Sequence, residues 1–174
     1  MRPLHLPPAP ASFAARGISL RAALPADAEF MRDVYVAGRW EEMAAAGWPD
    51  TVLLAFLRDQ YRLQTLHYDA HYADAARLVV ECDGVCAGKL LLLDMETEIR
   101  IVDIGLMPAF RGRGTGAMLV CWTQDIARAL GCGKVSLHVE PNNPARRLYL
   151  RLGFQVAGIN GAYERMDWVA PQEG

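Results

Sequence analysis

The spacing of hydrophobic and polar positions in the first part of the chain predicts one short strand followed by two helices. Residues 18–21 form a β-like run, and Pro25 then opens a stretch in which apolar residues recur at helical spacing up to about Gly38. A second helical stretch begins near Trp48-Pro49-Asp50 and extends toward Tyr68. Residues 39–47 are predicted to connect the two helices.

In the rest of the chain, short apolar runs bounded by turn residues predict strands interrupted by two helices. Asp83-Gly84 and Asn160-Gly161 are hairpin signals, and Pro108 ends a strand. The predicted strands are 77–81, 85–95, 99–107, 134–139, 154–159 and 163–168, and the predicted helices are 114–130 and 144–153. The element order β-α-α-β-β-β-α-β-α-β-β predicts a mixed α/β, or α+β, fold in a single domain.

The beginning of the chain differs in composition from the remainder. Residues 1–17 are rich in Pro and Ala, with prolines at positions 3, 7, 8 and 10. No long apolar run occurs there, so this segment is not expected to be a secretory signal. We predict a tail over residues 1–17, either mobile or lying as a strap on the domain, and a folded domain over residues 18–170.

Composition narrows the classes of function. The chain has 174 residues, which suits one domain, and its net charge of -2 gives no general attraction for nucleic acid. No apolar run of about 18 residues is present, so no membrane-spanning helix is expected. Four cysteines without a CxxC pair are expected to be reduced thiols, which favours a cytoplasmic location. His67 and His71 lack a third ligand at a suitable spacing, so no metal is expected.

The segment most informative about chemistry runs from Arg111 to Gly116, with the sequence Arg-Gly-Arg-Gly-Thr-Gly. It lies between a predicted strand and a predicted helix. Glycines let the backbone approach a ligand closely, and free amides at a helix N-terminus attract anionic oxygens. The two arginines add positive charge. The segment therefore predicts a phosphate or pyrophosphate site.

Known phosphate loops can be compared with this segment. A Walker A loop needs Gly-Lys-Ser/Thr, which is absent here, and a Rossmann loop has its first glycine directly after the strand. The segment instead resembles the Arg-x-x-Gly-x-Gly signature of the GNAT acetyltransferases, at Arg111, Gly114 and Gly116. Residues 135–154, with an Asn-Asn-Pro, a helical Leu-Tyr and a final Leu-Gly-Phe, resemble the second signature of that family. The resemblance extends over residues 18–168, although the N-terminal half matches in element order alone.

The resemblance implies a central mixed, mostly antiparallel sheet flanked by helices, and acetyl-CoA as cosubstrate without a metal. It assigns the pyrophosphate of acetyl-CoA to the loop amides and the pantetheine arm and acetyl carbonyl to the preceding strand. It also implies that Tyr149 protonates the departing CoA thiolate. The cofactor residues so assigned are Ile104, Gly105, Leu106, Arg111, Gly112, Arg113, Gly114, Thr115 and Gly116.

Two assignments in the second signature remain open between alternatives. The family's asparagine corresponds to Asn142 when counted back from Tyr149 and to Asn143 when counted forward from the strand. Asn143 is also the expected N-cap of the following helix.

The general base is a second open assignment. The position at which some family members carry a glutamate is His138, whose imidazole titrates in a useful range. The rival carboxylates for this role are Glu98, Asp103 and Glu140.

These features together predict an N-acetyltransferase that moves an acetyl group from acetyl-CoA to a primary amine, by direct attack in a ternary complex. The alternatives are a non-catalytic acyl-CoA-binding or sensing module and, less in keeping with the motifs, a dinucleotide-binding oxidoreductase. The expected partner is a small-molecule or peptide amine that the sequence does not specify. Neither nucleic acid nor a membrane is expected, and a homodimer is left open.

Overall fold

The computed structural model describes residues 3–171, which form one seven-stranded sheet with helices on both faces. The helices are α1 (Ala11–Ala15), α2 (Ala28–Ala44), α3 (Asp50–His71), α4 (Thr115–Ala129) and α5 (Ala145–Arg151). The strands are β1 (Ile18–Ala22), β2 (Ala76–Cys82), β3 (Val85–Asp94), β4 (Ile99–Leu106), β5 (Lys134–Val139), β6 (Gln155–Asn160) and β7 (Tyr163–Val169).

The strands lie in the order β1-β2-β3-β4-β5-β7-β6. All neighbouring strands pair antiparallel except β4 and β5, which are parallel. The parallel pair requires a crossover, and α4 provides it between the two strands. This arrangement confirms the predicted fold class of a mixed, mostly antiparallel sheet flanked by helices.

Side chains alternate between the two faces of the sheet, because successive residues of a strand point in opposite directions. On β2, Leu78 and Val80 belong to the large core beneath α1, α4 and α5, whereas Val79 packs on the opposite face with Met31 of α2. Both faces of the central strands are therefore covered. Leu90, Leu92 and Leu93 of β3 are fully buried as a result.

The sheet opens between β4 and β5, and this opening positions the candidate site. Their parallel pairing is limited to Ile99–Ile101 with Val135–Leu137. A bulge also interrupts the β3–β4 register, because Leu91 pairs with Asp103 and Leu92 with Ile101. The second half of β4 therefore has no paired strand on the β5 side within the described residues.

The predicted strands agree with the observed ones to within one residue at most ends, but two parts of the helical pattern differ. Helix α2 continues to Ala44, through most of the expected connector, because residues 39–44 contain no glycine or proline to stop it. Within the predicted tail, Ala11–Ala15 form a helix whose Phe13 is buried.

The ring of Phe13 meets Trp122 of α4 edge to face at 6.0 Å, and Leu4 and Leu6 pack on the same core. These contacts match the expectation of a strap rather than a mobile tail for this part of the segment. Residues 1 and 2 of the predicted tail lie outside the described residues, and the domain boundaries at 17 and 170 stay a prediction. Between residues 3 and 171, no helix has the length and apolarity needed to cross a membrane.

Candidate active site

The glycine-rich loop joins the end of β4 to the N-terminus of α4. Gly112 and Gly114 adopt φ angles of +72° and +83°, a backbone conformation that residues with a side chain rarely adopt. Gly114 is the residue that precedes the helix, so the first amides of α4 are left without intrahelical acceptors. The Nε of Arg111 donates to the carbonyl of Leu106 at 2.9 Å and fixes the loop against β4.

The space above this loop is open. A Cβ at Gly112 would meet nothing within 4 Å, and one at Gly116 would meet only Leu148, at 3.6 Å. Open space, free amides and arginine side chains fit a diphosphate group. The loop residues of the sequence analysis, from Arg111 to Gly116, thus lie together around one helix N-terminus.

A third arginine, Arg16, lies beside the loop and was missed by the sequence analysis. Its Nη2 donates to the carbonyl of Arg113, and its Nη1 lies 3.6 Å from where a Cβ of Gly114 would stand. The strap formed by α1 thus brings a guanidinium to the glycine-rich loop. No sequence signal points to this contact, because 97 residues separate the two arginines.

A cleft of about 590 Å³ lies on the other side of β4, between α2, α3 and the β6–β7 hairpin. Ile104 and Gly105 of β4 line it, and their contact with acetyl-CoA stays a prediction. Leu106 and Tyr149 are not among the residues that line this cleft. We refer to it as the acceptor cleft.

His138 is an exposed residue of β5 and lines the acceptor cleft together with Gly105. It is opposite Arg165 of β7 in the strand register. Partial burial and the positive charges of Arg100 and Arg165 lower the pKa of His138, against the opposing effect of the nearby carboxylates Asp167 and Glu98. The lowered pKa favours the neutral imidazole, which is the form that can accept a proton.

Tyr149 of α5 is almost completely buried, with 5% of its surface exposed. Its ring packs on Phe154, with 5.9 Å between the ring centroids. Burial, with a further contribution from the negative charge of Asp103, raises the pKa of Tyr149 to about 12. The phenol keeps its proton at neutral pH, which a proton donor requires.

The two asparagines of the second signature differ in their surroundings. The side-chain oxygen of Asn143 accepts a hydrogen bond from the backbone amide of Ala145 at 2.9 Å, as a helix cap does. Asn143 also lines the acceptor cleft, whereas Asn142 is exposed and is not among the lining residues. Contact of either residue with acetyl-CoA stays a prediction.

Two of the three rival carboxylates are held in ion pairs with arginines. Glu98 is 6% exposed and accepts hydrogen bonds from Ser136 at 2.7 Å, Arg100 at 2.9 Å and Arg165 at 2.6 Å. Burial alone would raise the pKa of Glu98, but these hydrogen bonds and charges hold it at about 2. Glu140 meets the Nη1 of Arg39 at 2.9 Å. These contacts assign both residues a role in joining neighbouring elements.

The third rival, Asp103, lines the acceptor cleft and pairs with Lys89 of β3 at 2.6 Å. Lys89 is 3% exposed, and its ammonium lies 5.8 Å and 5.4 Å from the ring centroids of Tyr35 and Tyr61. The sequence analysis did not select Lys89. The sequence signal for a buried, ion-paired lysine is its place inside an otherwise apolar strand, because lysine is rarely buried without a partner.

His67 and His71 stack on α3, with ring centroids 4.3 Å apart, and His71 Nδ1 is hydrogen-bonded to the carbonyl of His67. Over residues 3–171, no group of three or more His, Cys, Asp or Glu side chains is arranged to hold a metal ion.

A mostly antiparallel sheet that opens beside a glycine-rich helix N-terminus fits a protein that binds a phosphate-bearing ligand. The model of the Acetyltransferase (GNAT) family matches residues 39–154, and the chain belongs to this family. The resemblance drawn from the two sequence signatures is thereby confirmed.

Individual relatives are similar over part of their length. A Bacillus subtilis protein provisionally named as the alanine N-acetyltransferase of ribosomal protein bS18 is 32% identical over 95 residues, which are 54% of this chain and 60% of that protein. Spermidine N(1)-acetyltransferase of Escherichia coli is 32% identical over 109 residues, 55% of this chain and 59% of that enzyme. The chain thus spans about three fifths of the length of each relative.

Among solved structures, the PaiA N-acetyltransferase of Thermoplasma acidophilum in complex with coenzyme A superposes with a TM-score of 0.67. The two chains are 19% identical, and the superposition covers 87% of this chain and 98% of the other. At this level of identity, the likeness establishes the shared fold.

Proposed function

We propose that this protein transfers an acetyl group from acetyl-CoA to a primary amine, by direct attack within a ternary complex. The observation that carries the proposal is that β4 separates from β5 beyond Ile101. The glycine-rich loop lies on one side of this opening and the acceptor cleft on the other. A long thioester can extend along this opening from the loop to the cleft. Free cysteines at all four positions support the proposed cytoplasmic location.

In the proposed reaction, the amine nitrogen attacks the acetyl carbonyl carbon and the carbon–sulfur bond then breaks. The amides of residues 111–116 bind the pyrophosphate, and the backbone of residues 104–106 binds the pantetheine arm and the acetyl carbonyl. One such amide at the developing oxyanion contributes on the order of 3 kcal/mol to transition-state stabilisation. Tyr149 gives its proton to the thiolate, and His138 accepts the proton that the amine loses.

Release of free CoA thiol tests the proposed function. The purified protein is incubated with acetyl-CoA and one amine at a time, from a panel of amino acids, peptides, polyamines and aminoglycosides. Calorimetry with acetyl-CoA and NAD is carried out in parallel. Amine-dependent thiol release supports the proposal, whereas tight binding of acetyl-CoA without release for any amine would assign the chain to the non-catalytic acyl-CoA-binding modules.

The pH dependence of the rate is expected to report the base. Because the pKa of His138 is lowered, the rate should rise with pH through a value below 6.5 and level off near neutrality, before a second rise set by the acceptor ammonium. His138→Gln keeps a hydrogen-bonding side chain that does not titrate. We expect a lower rate and loss of the first rise, measured as kcat/KM from pH 5 to 9.

His71→Gln is the matched control, because His71 is exposed and is not among the residues that line the cleft. It should leave both rises in place. A His138→Gln profile parallel to that of the unchanged protein would show that the amine loses its proton to solvent, and His138 would then no longer be assigned as the base.

A further inference from the structure

The charged side chains that line the acceptor cleft are unequally divided between cations and carboxylates. Three basic side chains line it, those of Arg39 of α2, Lys89 of β3 and Arg100 of β4. Asp103 is the only Asp or Glu among the lining residues that the structure describes. Each of the three cations is itself paired with a carboxylate, Arg39 with Glu140, Lys89 with Asp103 and Arg100 with Glu98, so what the cleft lacks is an uncommitted carboxylate.

The carboxylates at the cleft and directly behind it are already engaged. Asp103 lies 2.6 Å from Lys89, Glu140 lies 2.9 Å from Arg39, and Glu98 lies 2.6 Å from Arg165. A second ammonium on the acceptor would need a carboxylate of its own once it leaves water. A second ammonium would have to share one of these three carboxylates with the cation to which it is already paired.

The Lys89–Asp103 pair is the least able to give way. The side chain of Lys89 is 3% exposed, and its ammonium is enclosed by Asp103 and the rings of Tyr35 and Tyr61. A second ammonium at Asp103 would have to share its one negative charge with the buried Lys89 ammonium, and two positive charges held at one carboxylate repel each other. Asp103 therefore does not act as a docking carboxylate for a distant ammonium.

We infer that the acceptor carries a single positive charge, on the amine that is acetylated, and that the rest of the molecule is neutral or anionic. This inference rests on the proposed function and narrows its substrate class. Spermidine, after which one relative is named, carries several ammonium groups. The cleft offers them no unpaired carboxylate among its described lining residues, so this chain is expected to act on a different class of amine. Arg39 of α2 is the lining cation that the experiment below changes.

Three amines with the same five-carbon chain test this inference, because they differ in the group at the far end. They are 5-aminopentanoate, pentylamine and 1,5-diaminopentane, with a negative, neutral and positive end. We expect kcat/KM for 1,5-diaminopentane to be lower than for pentylamine by about 10-fold or more, because like charges in a cleft repel. The value for 5-aminopentanoate should equal or exceed that for pentylamine.

Variants of Arg39 show whether this preference arises in the cleft. Arg39→Glu should reduce or invert the ratio of kcat/KM for pentylamine to kcat/KM for 1,5-diaminopentane. Arg39→Gln is a milder change beside Glu140 and should reduce this ratio. Arg39→Lys keeps the charge and should keep the ratio. Arg58→Glu is the matched control, since Arg58 is exposed on α3 and is not among the lining residues.

The outcomes separate this inference from the proposed function. Equal or faster acetylation of 1,5-diaminopentane by the unchanged protein would overturn the inference while supporting the acetyltransferase activity. An unchanged ratio in folded Arg39→Gln would overturn it as well. Failure to release thiol with any amine would contradict the proposed function, and the inference would fall with it.

Discussion

Tyr149→Phe is expected to lower turnover by about 10²-fold or more, if proton donation to the thiolate limits the rate. The substitution keeps the ring that packs on Phe154 and removes only the hydroxyl, so the fold should be retained. Affinity for acetyl-CoA should change little, because the phenol acts when the carbon–sulfur bond breaks. Steady-state kinetics with a saturating amine, together with calorimetry for acetyl-CoA, measures both quantities.

Tyr61→Phe is the control for the loss of a tyrosine hydroxyl. Tyr61 is half-buried against Lys89 and is not among the residues that line the acceptor cleft, so its variant should keep most of the turnover. If Tyr149→Phe retains the full turnover number under conditions where chemistry limits the rate, Tyr149 is a packing residue and another group protonates the thiolate.

Gly116→Val should weaken acetyl-CoA binding by about 10- to 100-fold, which corresponds to the loss of one or two hydrogen bonds to a charged phosphate. A side chain at this position lies in the first turn of α4, where the backbone must approach the ligand. Gly116 has no positive φ, and its Cβ would make only an ordinary contact with Leu148. The domain should therefore fold, and the dissociation constant is measured by calorimetry.

Gly114 is less suitable for this test, because its φ of +83° would strain the backbone with any side chain and mix a folding effect with a binding effect. Gly158→Val on β6 is the matched control, since a Cβ there meets nothing within 4 Å and φ is not positive. Unchanged acetyl-CoA affinity in folded Gly116→Val would remove the loop from the cofactor site.

Local patterns along the chain predicted nearly all of the secondary structure, because each depends on neighbours in sequence. Strand β5, residues 134–139, has the predicted bounds, and the Asp83-Gly84 turn has the positive φ angles that a tight hairpin demands. The glycine-rich loop was also predictable, since glycines followed by a helix start form an anion site by local geometry alone.

The features that the sequence did not predict lie in segments whose conformation depends on distant contacts. Helix α1 is too short to be stable alone and forms where Phe13 packs against Trp122 of α4. The same packing brings Arg16 to the carbonyl of Arg113. Propensity over a few residues contains no information about such a contact.

The sequence by itself determined the elements, the two family signatures and the loop that would hold a pyrophosphate. Only the tertiary structure decided the character of the acceptor cleft, because its charged side chains come from α2, β3 and β4 and are joined in ion pairs. The strength of an ion pair depends on the distance between its two charges and on how deeply they are buried. Those quantities exist only after the sheet and helices have come together.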